Sequence, residues 1–349
     1  MVDIVRRLRR LKNRYDQYRK LSEHLRANPV RQTVLTRQER KAIQQLFAVG
    51  GYKPGMAFHR WYYTVTGKRD PRFIPDWIMY TGLIARMNDR RMMHAWSDKA
   101  YMDAFIPDAR VPYCALRCIG GRFYDHADRL LSAEEAEQCW RAEDRLIVKP
   151  SLESGGGRNV RVYVPSSKAL AEVAGEYGRN FVCQRLVRQH PSVAAFNESS
   201  VNTVRVISLM WDNEIHICGQ MLRVGEKGAV TDNVGRGQGV SVGILPDGTV
   251  REVCYGIHGK AFDTAEYFGV EKGHRLYGFD EVLRTVRKCH QRLPYFALVA
   301  WDIAIDADGG PVVLEYNVQA MGVKAFQYNN GPLFGDLTEQ VLSRYGKEG

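Results

Sequence analysis

The tightest constraint on this chain lies near its C-terminal end, in the stretch Trp301 to Asn317, WDIAIDADGGPVVLEYN. Phe296 to Ile305 is an apolar run with one charge, and Pro311 to Tyr316 is a second. Asp306 to Gly310 lies between them, and Asp and Gly tolerate the backbone angles of a tight turn. The stretch reads as a β-hairpin. With Asp308 and Gly309 at its tip, Asp302 falls opposite Glu315, and a four-residue loop over 307–310 gives the same register. Side chains alternate along a strand, so Asn317 joins Glu315 on its face. Two carboxylates placed opposite each other repel unless a cation or a proton lies between them. Oxygen donors suit a hard cation, and Mg²⁺ is usually held by one or two carboxylates plus substrate phosphates. The plainer reading is a surface hairpin with its charges in water, which the apolar flanks disfavour.

Length allows two or three domains and a substantial core. The 349 residues are 45% hydrophobic and 26% charged, as in an ordinary globular enzyme. The sequence contains no apolar run long enough to span a bilayer, and its basic N-terminus lacks the apolar centre of a secretory leader. Seven cysteines are scattered with no CxxC spacing, which reads as reduced thiols in a cytoplasmic protein. The net charge of +11 calls for an anionic partner. Much of the excess sits in Val5 to Lys20, VRRLRRLKNRYDQYRK, with Val5, Leu8 and Leu11 at helical spacing. Residues 1–20 read either as a solvated helix with a few packed apolar residues or as a helix lying on an anionic membrane surface. The second option would make the protein peripheral at the inner membrane face. No nucleic-acid-binding module is present, and nucleic acid is not expected as a partner.

Residues 1 to about 48 read as helical, with Thr36 opening a capped helix. Residues 49–95 are rich in aromatics and broken by Gly and Pro. Beyond them, strands are expected at 146–150, 159–165, 181–187, 201–211 and 214–225, and helices at 166–178, 279–293 and 334–345. Glu153, Ser154, Gly155, Gly156, Gly157 and Arg158 form a polar loop between two of these strands. Its glycines let backbone amides approach an anion, but neither a P-loop nor a dinucleotide fingerprint is present, and a mobile turn is the bland reading. Lys149 ends an apolar strand just before that loop, within reach of a phosphate. Lys99 stands at a helix start. Gln184 sits on a strand of the kind whose backbone can hydrogen-bond a base, although an ordinary core strand reads the same. Arg205 and Arg223 on strands, with Asn233 and Arg236 in a glycine-rich segment, look like an anion cradle.

In this order, the lysine of VKP, SGGGRNV, QRLV, VNTVRV, DNVGRGQG and WDIAID…PVVLEYN resemble the ATP-grasp superfamily over residues 96–345. HPSVAAFNESSVNTVRVISL resembles the sugar-transfer-associated ATP-grasp group in particular. Gln238 departs from the usual glycine run. The resemblance implies an α+β ATP-grasp fold, two lobes gripping ATP, with a helical and irregular N-terminal region. The expected division is 1–95, an N-lobe at 96–187 and a C-lobe at 188–345. It further implies that Lys99 and Lys149 hold the α- and β-phosphates, that residues 153–158 close over the β- and γ-phosphates, and that Gln184, Arg185 and Leu186 contact adenine. Asp302, Glu315 and Asn317 would ligate Mg²⁺, while Arg205, Arg223, Asn233 and Arg236 orient the γ-phosphate and a substrate carboxylate. The expected reaction is ATP-dependent amide formation between a small-molecule carboxylate and an amine, sugar-linked in that group. A peptide ligase, a phosphotransferase acting on a small metabolite, a nucleic-acid or membrane-surface binder and a scaffold with a dead nucleotide site are the alternatives. The pairing of intact acids with Lys149 argues against the last.

Overall fold

The computed structural model describes residues 2–152, 159–226, 228 and 239–346, with side chains from residue 11 onward. Two antiparallel sheets organise it. The first contains β1 (Cys114–Ile119), β2 (Arg122–Tyr124), β3 (Leu130–Leu131), β4 (Leu146–Pro150), β5 (Arg161–Tyr163) and β6 (Phe181–Arg185), in the order β3-β2-β1-β6-β4-β5. Trp140 of the helix Ala133–Arg141 and Val173 of the helix Leu170–Tyr177 share a core with Leu146, Val148 and Phe181 of its strands. The second contains β7 (Thr203–Trp211), β8 (Glu214–Val224), β9 (Val240–Ile244), β10 (Val250–Gly256), β11 (Ala261–Asp263), β12 (Leu298–Ile305) and β13 (Pro311–Asn317), in the order β11-β10-β9-β8-β7-β12-β13. The class is α+β, as expected. Asp212 and Asn213 join β7 to β8 with φ of 49° and 65°, angles that Asp and Asn tolerate and that match the twist of a two-residue hairpin.

The two faces of the second sheet have different fates. Val204, Val206, Trp301 and Ile303 pack under Val282 and Val286 of the helix Phe279–His290. The alternate residues Ile207, Ala300 and Met221 share a core with Trp61 and Phe58 of the N-terminal region and with Phe326 of the helix Val323–Asn330. The N-terminal region contributes α1 (Val2–Ala27), α2 (Arg37–Val49), α3 (Ala57–Thr66) and a helical run from Asp76 to Met87 that includes a π turn at Met79–Leu83. Thr36 caps α2 in a reciprocal box with Glu39, as its spacing predicts. Burying side chains of this size stabilises by about 1.5–3 kcal/mol each, so residues 21–87 are held by the same core as the sheet. Asn88 adds a polar fastener. Its Nδ2 donates to the carbonyls of Leu298 and Val318 at 2.8 Å each, and its Oδ1 accepts from the N–H of Leu298 at 3.0 Å.

The β12–β13 hairpin forms with one refinement. Asp302 does face Glu315. Nearer the turn, however, Ile303 pairs with Val313 and Ile305 with Pro311, one residue away from the uniform register expected. The loop has three residues, 307–309, between the two- and four-residue loops expected, with the Gly309 N–H donating to Asp306 O and the Asp306 N–H donating to Gly310 O. A β-bulge at Leu314 absorbs the difference and restores the acids to opposite positions. Among the described residues, no helix is long and apolar enough to cross a membrane.

Candidate functional site

Period-two alternation places Arg205 and Ile207 on one face of β7, Met221 and Arg223 on one face of β8, and Ala300 and Asp302 on one face of β12. The N-terminal region covers the apolar members of this face. The charged members lie at its open end, on the wall of a cleft of about 2170 Å³ between the two sheets. Asp302 is flanked in register by Arg205 on β7 and Glu315 on β13. Arg205 donates from Nε to Asp302 Oδ1 at 2.7 Å and from Nη2 to Oδ2, a two-pronged pair. Arg223 reaches both carboxylate oxygens from Nη1 at 3.1 Å. Burial alone would raise the Asp302 pKa, but the two guanidiniums outweigh it and hold the carboxyl well below the usual range.

Asn317 Nδ2 lies 3.4 Å from Asp302 Oδ2 and 3.4 Å from Glu315 Oε1. The three expected oxygen-bearing side chains therefore converge. Among the described residues no group of three His, Cys, Asp or Glu is arranged to hold a metal. Two carboxylates and an amide still suit Mg²⁺, which takes few protein ligands and completes its shell with water and phosphate. Rotation of the Asn317 amide would present its oxygen.

The opposite wall supplies cations. Lys149, on β4, extends Nζ to 3.5 Å from the carbonyl of Leu314, the bulge residue on β13. Burial, with neighbouring Lys99 acting in the same direction and Glu315 opposing, lowers its pKa to about 8. Lys99 begins a 3₁₀ turn capped by Asp98, as its place in SDKAYM suggests, and its Nζ lies 3.4 Å from Glu315 Oε2. Its N–H donates to Ser151 O at 3.0 Å, tying the turn to the end of β4.

Gln184 is buried on β6, and its Oε1 has no hydrogen-bond partner among the described residues. The Arg185 guanidinium is committed elsewhere: it pairs with Glu143 at 2.8 Å and stacks 4.2 Å from the Tyr113 ring. The Arg185 N–H donates to Tyr113 O at 2.9 Å, so it is not available to a base. Leu186 lines the cleft beside it and is 37% exposed. Glu153, Ser154, Gly155, Gly156, Gly157, Arg158, Asn233 and Arg236 lie outside the described residues.

The inner part of the cleft carries residues that the sequence did not single out. Asp76 and Tyr80 come from the N-terminal region, Lys324 from the segment after β13, and Lys20 and His24 from α1. Lys324 Nζ lies 3.3 Å from Asp76 Oδ2. No local pattern marks either partner; only the fold brings them together.

The sequence profile of the family "Sugar-transfer associated ATP-grasp" matches residues 79–342. No curated protein matches. Among solved structures, an L-amino acid ligase from Bacillus licheniformis is similar over 70% of this chain and 47% of its own, at 12% identity and a TM-score of 0.41. The present chain thus spans about half the length of that protein. The D-cycloserine synthetase DcsG is similar over 72% and 70%, at 18% identity and a TM-score of 0.40. The ATP-grasp ligase PsnB, complexed with a minimal precursor, Mg and ADP, is similar over 73% and 62%, at 16% identity and a TM-score of 0.39. With its profile matched from the π turn to the last helix, the chain belongs to the sugar-transfer associated ATP-grasp family.

Proposed function

We propose that this protein is an ATP- and Mg²⁺-dependent carboxylate–amine ligase that forms an amide through an acyl phosphate and releases ADP. The observation that carries the reading is the row Arg205–Asp302–Glu315 on one wall of the cleft, with Lys149 of β4 lining the same cleft and Lys99 paired to Glu315. A carboxylate is a poor electrophile at neutral pH. Transfer of the γ-phosphoryl group of ATP to one of its oxygens turns that oxygen into part of a leaving group. The amine nitrogen then attacks the carbonyl carbon, the C–O bond to phosphate breaks, and a proton leaves the nitrogen. Such a path needs positioning and charge stabilisation more than a nucleophilic side chain.

Each residue has a part in this reading. Lys149 on β4 and Lys99 on the 3₁₀ turn tied to the end of β4 neutralise phosphate oxygens. Asp302, Glu315 and Asn317 would hold Mg²⁺, which supplies charge neutralisation on the transferred phosphoryl group. Arg205 and Arg223 orient the γ-phosphate and the substrate carboxylate, and the β6 segment ending at Leu186 borders the base. The acceptor is a sugar acid or a sugar-linked amino acid, in keeping with the family's association with sugar transfer. ATP supply puts the reaction in the cytoplasm.

The test is ADP release by the full chain with Mg²⁺ and pooled uronic acids, amino acids and nucleotide-activated sugar acids, with products read by mass spectrometry. ADP together with a new amide supports the reading. ADP with a stable phosphorylated product and no amide would replace it with phosphotransfer.

A further inference from the structure

The cleft's 2170 Å³ is more than twice the upper end of the range of about 300–1,000 Å³ seen for single-ligand pockets. A nucleotide between the sheets therefore leaves room for a large second substrate. The inner end of the cleft is continuous with the Asp302 site. Arg205 Nη1 lies 3.5 Å from Met321 O. Gly322 follows at φ +70°, where a Cβ would stand 3.0 Å from the same Nη1. The Val323 N–H donates to Tyr80 Oη at 3.3 Å. Lys324 comes next, its side chain only 12% exposed, and pairs with Asp76, whose side chain is 5% exposed.

Asp76 is itself fixed. Its Oδ1 accepts from Tyr62 Oη at 2.6 Å, and Tyr62 is fully buried, stacked 5.0 Å from the Phe73 ring. The ammonium of Lys324 is thus anchored at one point by a rigid acid while it lines the cleft, and an ammonium has three protons to donate. His24 and His258, whose Nδ1 atoms are 3.0 Å apart, border the same end. Burial, with Lys324 and His258 nearby, lowers His24 to about pKa 3, so it adds no charge at neutral pH. Asp302 and Asp76 are already matched by Arg205, Arg223 and Lys324. Across the described lining residues, eleven Lys or Arg face six Asp or Glu.

We propose that Lys324, braced by Asp76 and Tyr80, is the subsite for a second anionic group of the acceptor, a carboxylate or a phosphate, distinct from the carboxylate activated beside Arg205 and Arg223. The N-terminal region forms the wall of this subsite. The proposal rests on the ligase reading and narrows the acceptor to a molecule with two anionic groups.

The test is calorimetric titration of the full chain, saturated with Mg²⁺ and a non-hydrolysable ATP analogue, with butyrate, glutarate, adipate and 3-phosphonopropionate. A charge-assisted hydrogen bond predicts at least one dianion binding about tenfold tighter than butyrate. Selectivity for the dicarboxylates over the phosphonate identifies the second group as a carboxylate, and the reverse as a phosphate. Lys324→Met should abolish the advantage while nucleotide affinity stays unchanged, which also reports that the variant is folded. Asp76→Asn/Lys324→Met removes both members of the buried pair and should behave alike. Equal binding of all four anions by the wild-type protein, or an advantage that survives Lys324→Met, overturns the subsite alone. No nucleotide binding by the wild-type protein overturns the ligase reading and the subsite with it.

Discussion

Arg205 and Asp302 are cross-strand neighbours joined by two hydrogen bonds, and Arg223 makes Asp302 the shared anion of two guanidiniums. The sharing is asymmetric. Asp302 has two cationic partners in this set, whereas Arg205 has one carboxylate. Breaking a buried pair from one side costs about 3–5 kcal/mol, because the survivor keeps its desolvation penalty. Asp302→Asn removes the carboxylate charge that both guanidiniums share and should sit towards the upper end of that range. Arg205→Met leaves Asp302 paired with Arg223 and should cost less. Urea denaturation of both variants checks the order, and equal losses would show that Arg223 does not compensate. Asp302→Asn should also abolish ATP turnover.

Lys149 should cost the ligand-free protein stability. Its folded pKa is lowered to about 8 from the usual 10.5 of lysine. Between these values the unfolded chain binds more protons than the folded one, so this group's contribution to stability rises with pH through that window. Below pH 8 both states are protonated and the penalty is complete. Lys149→Met should therefore be more stable than the wild type by about 1–3 kcal/mol at pH 7, and the difference should shrink towards pH 10. Nucleotide affinity of the same variant should fall. Thermal melts across pH, beside titration with ATP, measure both.

The same depressed pKa predicts chemical reactivity. At pH 8 a substantial fraction of Lys149 is the free amine, unlike a solvated lysine. A small amine-acylating reagent that enters the cleft at that pH should modify Lys149, and MgATP should protect it. Peptide mapping by mass spectrometry reads both, and labelling insensitive to MgATP would separate Lys149 from the nucleotide site.

Gly322 couples the charged row to the inner cleft through its backbone. Its φ of +70° disfavours any side chain, and an added Cβ would press on Arg205 Nη1 at 3.0 Å. Gly322→Ala should destabilise by about 1 kcal/mol or more. Displacing the guanidinium should also lower turnover more than it lowers ATP affinity. Parallel kinetics and denaturation distinguish this from a purely structural defect.

Asn88 ties the N-terminal region to the second sheet by three hydrogen bonds, two with Leu298 of β12 and one with Val318 just after β13. Asn88→Ala leaves two buried carbonyls and one buried N–H to lose a partner, at about 1–3 kcal/mol each where no water enters. Hydrogen exchange should rise in the helical run 76–87 before it rises in β7, if the region loosens from the sheet it covers.

Legibility in the sequence followed the range of the interactions. Asp302 opposite Glu315 was readable because the apolar runs and the turn chemistry lie within twenty residues of each other. The bulge at Leu314 was not, since nothing in the PVVLEYN composition distinguishes a bulged strand from a regular one. Arg185 reads as a residue beside the nucleotide, but the spacing does not show Glu143 and Tyr113 claiming its guanidinium. Asp76 and Lys324 are separated by most of the chain, and each stands in a stretch with no recognisable pattern. Their meeting depends on how α3, the 76–87 run and the segment after β13 pack on one sheet face, which only tertiary structure decides.

The bulge at Leu314 makes chain length at this point a chemical variable. Ile303 pairs with Val313 and Asp302 with Glu315, so Leu314 is the one extra residue on β13. Deleting it would leave a regular ladder with Glu315 still opposite Asp302. What would go is the carbonyl of Leu314, 3.5 Å from Lys149 Nζ. The extra residue thus serves the link to the first sheet, while the pairing of the two acids survives without it.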